Sequence, residues 1–355
     1  MRHLGLPARR SALLLALPVA LGAGCGASGT GFAPWDGGLD QDLPIGDLAG
    51  SAGADLASSV RLTSAVSVVI EPDATVAPIT AAISGAKSSI SIEVYLLTHA
   101  GITNSLIAAR KAGRAVKVIL EMTPTGSSNA AVYSQLMAAG VSVKWGSNAF
   151  NFTHAKSMIV DGATLYAMTL NLSVSAFTDN REYALIDTDP ADVAEAQAVF
   201  DADWNNAATP PVANLVIAPT NARGKLDKII GGATSRLDIE WESLSDSQVA
   251  LKIQDRIRAG VKTSILAPSN VLGTPSQNIL NALKGAGATV RLLDKPYIHA
   301  KMILVDRDRG FVGSENATAN SLDNNRELGV LWQSPDVAAK IGAAFDSDWA
   351  RGAAF

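Results

Sequence analysis

His154-Ala-Lys156-Ser-Met-Ile-Val-Asp161 is written a second time, 145 positions later, as His299-Ala-Lys301-Met-Ile-Leu-Val-Asp306. The same offset carries Asn171 onto Asn316, Asn180-Arg181-Glu182 onto Asn325-Arg326-Glu327, and Phe200-Asp-Ala-Asp-Trp204 onto Phe345-Asp-Ser-Asp-Trp349. Residues 154–204 therefore align with 299–349 without a gap. A duplication that keeps its polar side chains in register suggests two half-sites that meet around one pseudo-two-fold axis. The chain has only four histidines, His3, His99, His154 and His299, so two of them occupy matched repeat positions. A lone histidine in a strand reads as a hydrogen-bonded core residue. A matched pair with Lys, Asp, Asn and Glu at fixed spacing reads as catalytic.

A chain of 355 residues allows two domains of ordinary size, and 48% hydrophobic with 17% charged residues describes a folded chain. The N-terminus has a different character. Arg2, Arg9 and Arg10 precede the apolar run Ala12–Leu21 and the small residues Gly22-Ala-Gly-Cys25. That is a signal peptide over 1–25, with an apolar run too short to span a bilayer. Cys25, the only cysteine, excludes an intramolecular disulfide or a cysteine-based metal cluster. Its position resembles a bacterial lipobox, although Leu21 lies one place upstream of the usual pattern, and Cys25 is therefore the expected lipidation site. Residues 26–60, rich in Gly, Ala, Ser and Asp, read as a flexible tether. An exported protein, anchored in a bacterial envelope or secreted, is the expectation. Loss of the leader removes three arginines and leaves 26 basic against 33 acidic side chains, a net charge of −7. An acidic domain starts at a disadvantage with nucleic acid, which is bound largely by neutralising phosphates, though a local basic cleft would keep a nuclease open.

Strand-like and helix-like segments alternate in each half. The first half reads as strands Val66–Ile70, Ser89–Leu97, Val116–Leu120, Val141–Trp145, Ala155–Val160 and Tyr183–Asp187. Its helices fall at Ala74–Ala86, Ile102–Gly113, Ala130–Ala139 and Asp192–Trp204. The second half follows, with strands at Leu215–Ala218, Leu237–Trp241, Lys262–Leu266, Val290–Leu293, Met302–Val305 and Leu328–Trp332. This predicts an α/β protein with a mixed sheet in each of two sandwich repeats, 61–208 and 212–355, separated at Thr209-Pro210-Pro211.

On a strand, His154 and Lys156 share one face, as do His299 and Lys301. Asn171 and Asn316 lie far enough beyond for the chain to return on a neighbouring strand. Two imidazoles, two ammonium groups and two amides suit a phosphoryl group. Lys and Asn would neutralise and bind its non-bridging oxygens, one imidazole would attack phosphorus, and the other would protonate the leaving oxygen. That chemistry needs no cofactor and no divalent metal.

The paired motif resembles the HxKxxxxD signature of the phospholipase D superfamily, whose fuller form adds Gly-Ser-x-Asn and a downstream glutamate. The second copy has Gly313-Ser314-Glu315-Asn316; the first departs with Met168-Thr169-Leu170-Asn171, keeping a hydroxyl at Thr169. The resemblance implies a two-step phosphodiester transfer through a phosphohistidine. His154 would be the nucleophile and His299 the acid and then the base. Glu182 and Glu327 would orient the imidazoles, and Thr169 and Ser314 would join Lys156, Lys301, Asn171 and Asn316 around the phosphate. Asp161 and Asp306 are candidates for the site or for strand-end caps, and Arg181 and Arg326 for structural partners. His99 is read as a loop histidine near the mouth, Glu93 and Glu240 as cleft or buried polar residues, and Trp204 and Trp349 as core anchors. The leading expectation is a monomeric phospholipase D that hydrolyses glycerophospholipids at a membrane surface. A nuclease or other phosphodiesterase, a phosphatidyltransferase of the cardiolipin synthase kind and a non-catalytic binding protein stand as alternatives. The transferase ranks low for want of membrane-spanning helices.

Overall fold

The computed structural model describes residues 60–355; the leader, Cys25 and the tether to residue 59 lie outside the described residues. The first repeat begins with β1 (Val66–Glu71), α1 (Ala77–Gly85), β2 (Ser89–Val94), α2 (Ala100–Lys111), β3 (Ala115–Leu120), α3 (Gly126–Ala138) and β4 (Ser142–Trp145). It closes with β5 (Lys156–Val160), β6 (Thr164–Met168), α4 (Val174–Thr178), β7 (Asn180–Asp187) and α5 (Pro190–Asn205). The second repeat begins with β8 (Val216–Ala218), α6 (Ala222–Gly231), β9 (Arg236–Trp241), α7 (Ser247–Arg258), β10 (Lys262–Ala267), α8 (Pro275–Ala286) and β11 (Thr289–Leu292). It closes with β12 (Tyr297–Ile298), β13 (Lys301–Val305), β14 (Arg309–Gly313), α9 (Ala319–Asp323), β15 (Glu327–Gln333), α10 (Pro335–Arg351) and β16 (Ala353–Ala354). Strands β6 and β14 are the return strands expected between each motif and its asparagine, although the sequence does not mark their bounds. Each is short and follows its partner through a tight turn, so no separate apolar run marks it.

The strands form two mixed sheets, ordered β1-β7-β6-β5-β2-β3-β4 and β16-β11-β10-β9-β13-β14-β15-β8. Within each, a parallel trio is extended by antiparallel motif strands: β2 pairs β3 in parallel and β5 antiparallel, as β9 pairs β10 and β13. All of Lys156–Val160 and all of Lys301–Val305 are buried, because both faces of each sheet are covered. Side-chain alternation then divides β13 between layers: Ile303 and Val305 face α6–α8, whereas Met302 and Leu304 enter a central core shared with the first sheet. That core also takes Val199 and Phe200 of α5 and Ile341 and Phe345 of α10. Truncation of Phe200 or Phe345 to Ala at such a site costs about 3–5 kcal/mol.

The repeats are cross-strapped. Buried Arg181 of the first repeat meets Asp348 of the second at 2.5 Å, and buried Arg326 of the second meets Asp203 of the first at 2.8 Å. These arginines are the structural partners expected of them. Main chains cross as well: β12 pairs in parallel with the start of β7, and Thr153 bridges Arg326. Trp204 and Trp349 sit only partly in the core, stacked on Phe200 and Phe345. Among the described residues, no helix is long and apolar enough to cross a membrane.

Candidate active site

The motif strands run antiparallel to β2 and β9, which sets their first residues beside the carboxyl ends of the parallel strands: Lys156 pairs with Val94, and Lys301 with Trp241. Ligand sites in α/β sheets gather at that edge. Main-chain pairing across the repeats fixes each histidine there. The His154 N–H donates to the Arg326 carbonyl at 2.9 Å, and the Tyr297 N–H to the Asp179 carbonyl at 2.9 Å.

The orienting carboxylates are exchanged between repeats. His154 Nδ1 lies 2.9 Å from both oxygens of Glu327, and His299 Nδ1 lies 2.7 Å from Oε1 of Glu182. Both glutamates are fully buried and held by further donors. Glu327 accepts from Ser321 Oγ at 2.6 Å and Asn325 Nδ2 at 3.2 Å, and Glu182 from Thr169 Oγ1 at 2.6 Å and Asn180 Nδ2 at 3.3 Å. Burial opposes ionisation of Glu327, but His154 and Lys156 outweigh it and hold its carboxyl below the usual range. With Nδ1–H given to Glu327, Nε2 of His154 is left as an acceptor, and Lys156 Nζ approaches it at 3.0 Å. Burial pushes His154 below its ordinary value against the pull of Glu327, and the Lys156 and Lys301 ammonium groups add to the shift. Lys156 itself is fully buried; burial and the neighbouring Lys301 push it down to about 7. The two half-sites thus act on each other as one site.

They are not equivalent. In the second, Glu242, unremarked in the sequence, receives Lys301 Nζ at 2.8 Å, stands 3.5 Å from His299 Nε2 and takes Asn316 Nδ2 at 3.4 Å. Lys301 Nζ also lies 3.2 and 3.4 Å from the two ring nitrogens of His299. Strand register places Tyr95 at the matching position of the first repeat, since Val94 and Trp241 pair with the two lysines. Its ring packs edge-on to His154, centroids 4.7 Å apart, and lies 5.4 Å from Lys156 Nζ. Burial would raise the Glu242 carboxyl, yet His299 and Lys301 hold it well below the ordinary carboxylate range. The signal that could have found Glu242 was the offset of Glu93 and Glu240: 147 there, not 145, which carries Tyr95 onto Glu242.

Several expected site residues lie elsewhere. Asp161 and Asp306 occupy the turns at the far ends of the motif strands, with φ of 57° and 52°, conformations that Asp tolerates better than most side chains. Asp161 accepts the N–H groups of Lys87, Ser88 and Ser89 at 2.7–3.0 Å, and Asp306 those of Thr234, Ser235 and Arg236 at 2.8–3.0 Å. Partial burial works against ionisation, but these donors hold both carboxyls well below the usual range. They are strand-end caps and stand apart from the histidine–lysine cluster. Thr169 and Ser314 are fully buried and their hydroxyls are committed to the scaffold, accepting the N–H of Tyr183 at 2.9 Å and of Leu328 at 3.0 Å. A place around the phosphate does not fit them. Asn171 and Asn316 keep Oδ1 without a protein partner. His99 caps α2, its Nδ1 facing the Ile102 N–H at 3.4 Å. Glu93 and Glu240 are buried, and Glu240 accepts the Tyr183 hydroxyl at 2.8 Å.

The Met168 departure has a steric account. A Cβ at Gly313 would meet Oε2 of Glu315 at 2.3 Å and Cα of Gly329 at 2.5 Å, whereas Met168 lies opposite Ala184 and has Leu170, not a glutamate, two positions on. Glu315 is fully buried with no side-chain partner for its carboxylate, and burial pushes its pKa well above the ordinary value against the nearby N–H groups of Ser314 and Glu315. Among the described residues, no group of three or more His, Cys, Asp or Glu side chains is placed to hold a metal ion.

Comparison with known proteins recovers the same internal repeat. The family model described as cardiolipin synthase, PLD-like domain matches twice, over residues 79–204 and 226–349. A cardiolipin synthase of Geobacillus kaustophilus is 24% identical over 82% of this chain and 67% of its own length. The major cardiolipin synthase of Bacillus subtilis is 23% identical over 75% of this chain, which spans 65% of that relative. A mitochondrial cardiolipin hydrolase of Danio rerio is 29% identical over 39% of this chain and 60% of its own length. Among solved structures, phosphatidylserine synthase of Haemophilus influenzae superposes with a TM-score of 0.66 at 12% identity, over 82% of this chain and 87% of that one. At that identity the likeness concerns the fold alone.

Proposed function

Because the chain belongs to the PLD-like domain family of the cardiolipin synthases, we propose that it transfers a phosphatidyl group from a glycerophospholipid to an alcohol through a phosphohistidine. The observation that carries the chemistry is the bare Nε2 of His154, held by Glu327 on the opposite ring nitrogen and facing Lys156. In the first step Nε2 of His154 forms the P–N bond while the P–O bond to the leaving alcohol breaks, and His299 gives that oxygen its proton. In the second, His299 takes the proton of the acceptor hydroxyl, whose oxygen forms the new P–O bond as the P–N bond breaks. Lys156, Lys301 and the amides of Asn171 and Asn316 stabilise the non-bridging oxygens. His299 suits the proton-donor role, with Glu182 at Nδ1 and Glu242 near Nε2.

Transfer to an alcohol takes precedence over the hydrolysis expected from the sequence because relatives that align over both repeats are named cardiolipin synthases. The lack of spanning helices among the described residues weighs less, since this chain spans about two thirds of those relatives. Hydrolysis is favoured by one observation, the partial match to cardiolipin hydrolases. Export and anchoring through Cys25, read from the sequence, would bring the site to a lipid surface, which mass analysis of the mature N-terminus checks. The deciding assay offers phosphatidylglycerol vesicles to the purified protein in EDTA. Cardiolipin and glycerol are the expected products. Phosphatidate and glycerol alone would establish hydrolysis, and no turnover of any phospholipid would overturn both readings.

A further inference from the structure

The two half-sites differ most where Glu242 stands opposite Tyr95. Its Oε2 draws together Lys301 Nζ at 2.8 Å, Asn316 Nδ2 at 3.4 Å and His299 Nε2 at 3.5 Å. These are the groups that the repeat assigns to phosphate oxygens, so a carboxylate of the chain itself stands where an anionic oxygen is to be bound. The first half-site has no such carboxylate, and an aromatic ring faces Lys156 instead. Glu242 is partly exposed, so its side chain has room to move aside, unlike the buried Glu182 and Glu327.

We infer that Glu242 is a specificity-determining residue that admits singly charged phosphodiesters and turns away doubly charged phosphomonoesters. The inference rests on the phosphodiester-transfer reading and deepens it by naming the charge class of the ligand. A fixed negative charge within a few ångströms repels each further charge on a bound anion, and repulsion at that range is large in a partly desolvated site. A diester displaces the carboxylate from Lys301 and brings one charge in exchange for the one moved aside. A monoester brings two and keeps one of them against Glu242. Free phosphomonoesters, including phosphatidate, then bind poorly and leave the site to the diester and the acceptor alcohol.

The test is direct binding, independent of turnover, using inorganic phosphate as the dianion and dimethyl phosphate as the monoanion. Both are titrated calorimetrically at pH about 7, where Lys156 keeps part of its charge and a large share of the phosphate is the dianion, into the full chain and into Glu242→Gln and Glu242→Tyr. The wild type is expected to bind dimethyl phosphate more tightly than the dianion. Both variants should bind the dianion roughly tenfold more tightly, with a clearly smaller gain for the monoanion. Equal gains for the two anions, or none, would overturn the inference. If neither variant folds, the wild type decides alone, and tighter binding of the dianion sinks the proposal. Absence of binding by either anion to any of the proteins would instead remove the phosphate-site reading on which it rests.

Discussion

Glu327, in the second repeat, holds Nδ1 of His154, in the first, at 2.9 Å. The reciprocal pair, Glu182 and His299, closes at 2.7 Å. Neither half therefore supplies the carboxylate that holds Nδ1 of its own motif histidine.

Replacing Glu327 by Gln keeps the size of the side chain and removes the charge that fixes the His154 tautomer. Turnover is expected to fall roughly 10²- to 10⁴-fold. Glu182→Gln should act similarly through His299, and the double variant should lose far less than the product of the two losses. Full multiplicative loss, measured with any phosphodiester that the enzyme accepts, would show that the two histidines do not act as one unit.

The pH dependence of kcat/KM follows from the two displaced groups of the first half-site. His154 must be neutral to attack, and burial lowers its pKa, so activity should rise across the mildly acidic range. Lys156 must be charged to bind phosphate, and with its pKa pushed down to about 7 activity should decline above that point. Lys156→Arg, whose charge persists, should flatten the alkaline limb even at reduced turnover. A limb that stayed in place would assign it to another group.

Fold stability should fall between about pH 5 and 7. Glu71 and Asp187 are raised to about 7 and Glu240 to about 8, in each case chiefly by burial. A carboxyl whose pKa is higher in the folded state stabilises that state fully below its unfolded value and loses the contribution as pH rises through the folded one. His154, lowered in the fold, works the other way over the same range, but it is outnumbered. Thermal midpoints read across this interval should therefore drop, and Glu240→Gln should make the slope shallower. A midpoint that climbed steadily with pH would contradict the assignment.

Glu315→Leu, which installs the residue of the first repeat, should stabilise the fold by about 1–2 kcal/mol, because it removes a buried carboxyl that no cation or side-chain donor pairs. Denaturant midpoints at constant slope would register the gain. A loss would mean that the carboxyl has a partner in solution.

Much of this was legible in the sequence because it depends on local pattern. The motif and its spacing gave the repeat, period-two apolar runs gave the strands, and the polar register gave His154, His299, their lysines and their glutamates. What escaped notice depends on tertiary path. That Glu327 serves His154 and Glu182 serves His299 requires knowing that the chains cross at Thr153 and at β12, which no spacing encodes. Thr169 and Ser314 carry the right hydroxyls, but only the pairing of β6 with β7 and β14 with β15 turns them toward backbone N–H groups. Asp161 and Asp306 share a motif with the histidines and yet cap the opposite strand end, since five strand residues separate the two roles along the chain.

The contrast of Tyr95 with Glu242 has an implication for how such a centre can diversify. Two identical copies joined by a true two-fold axis would carry the same side chain at both positions, and any change made on one side would be imposed on the other. Tandem fusion in a single chain lifts that constraint. The mutual straps of Arg181 with Asp348 and Arg326 with Asp203 preserve the symmetric frame, while the residues lining the two half-sites, Tyr95 and Glu242 among them, are free to diverge.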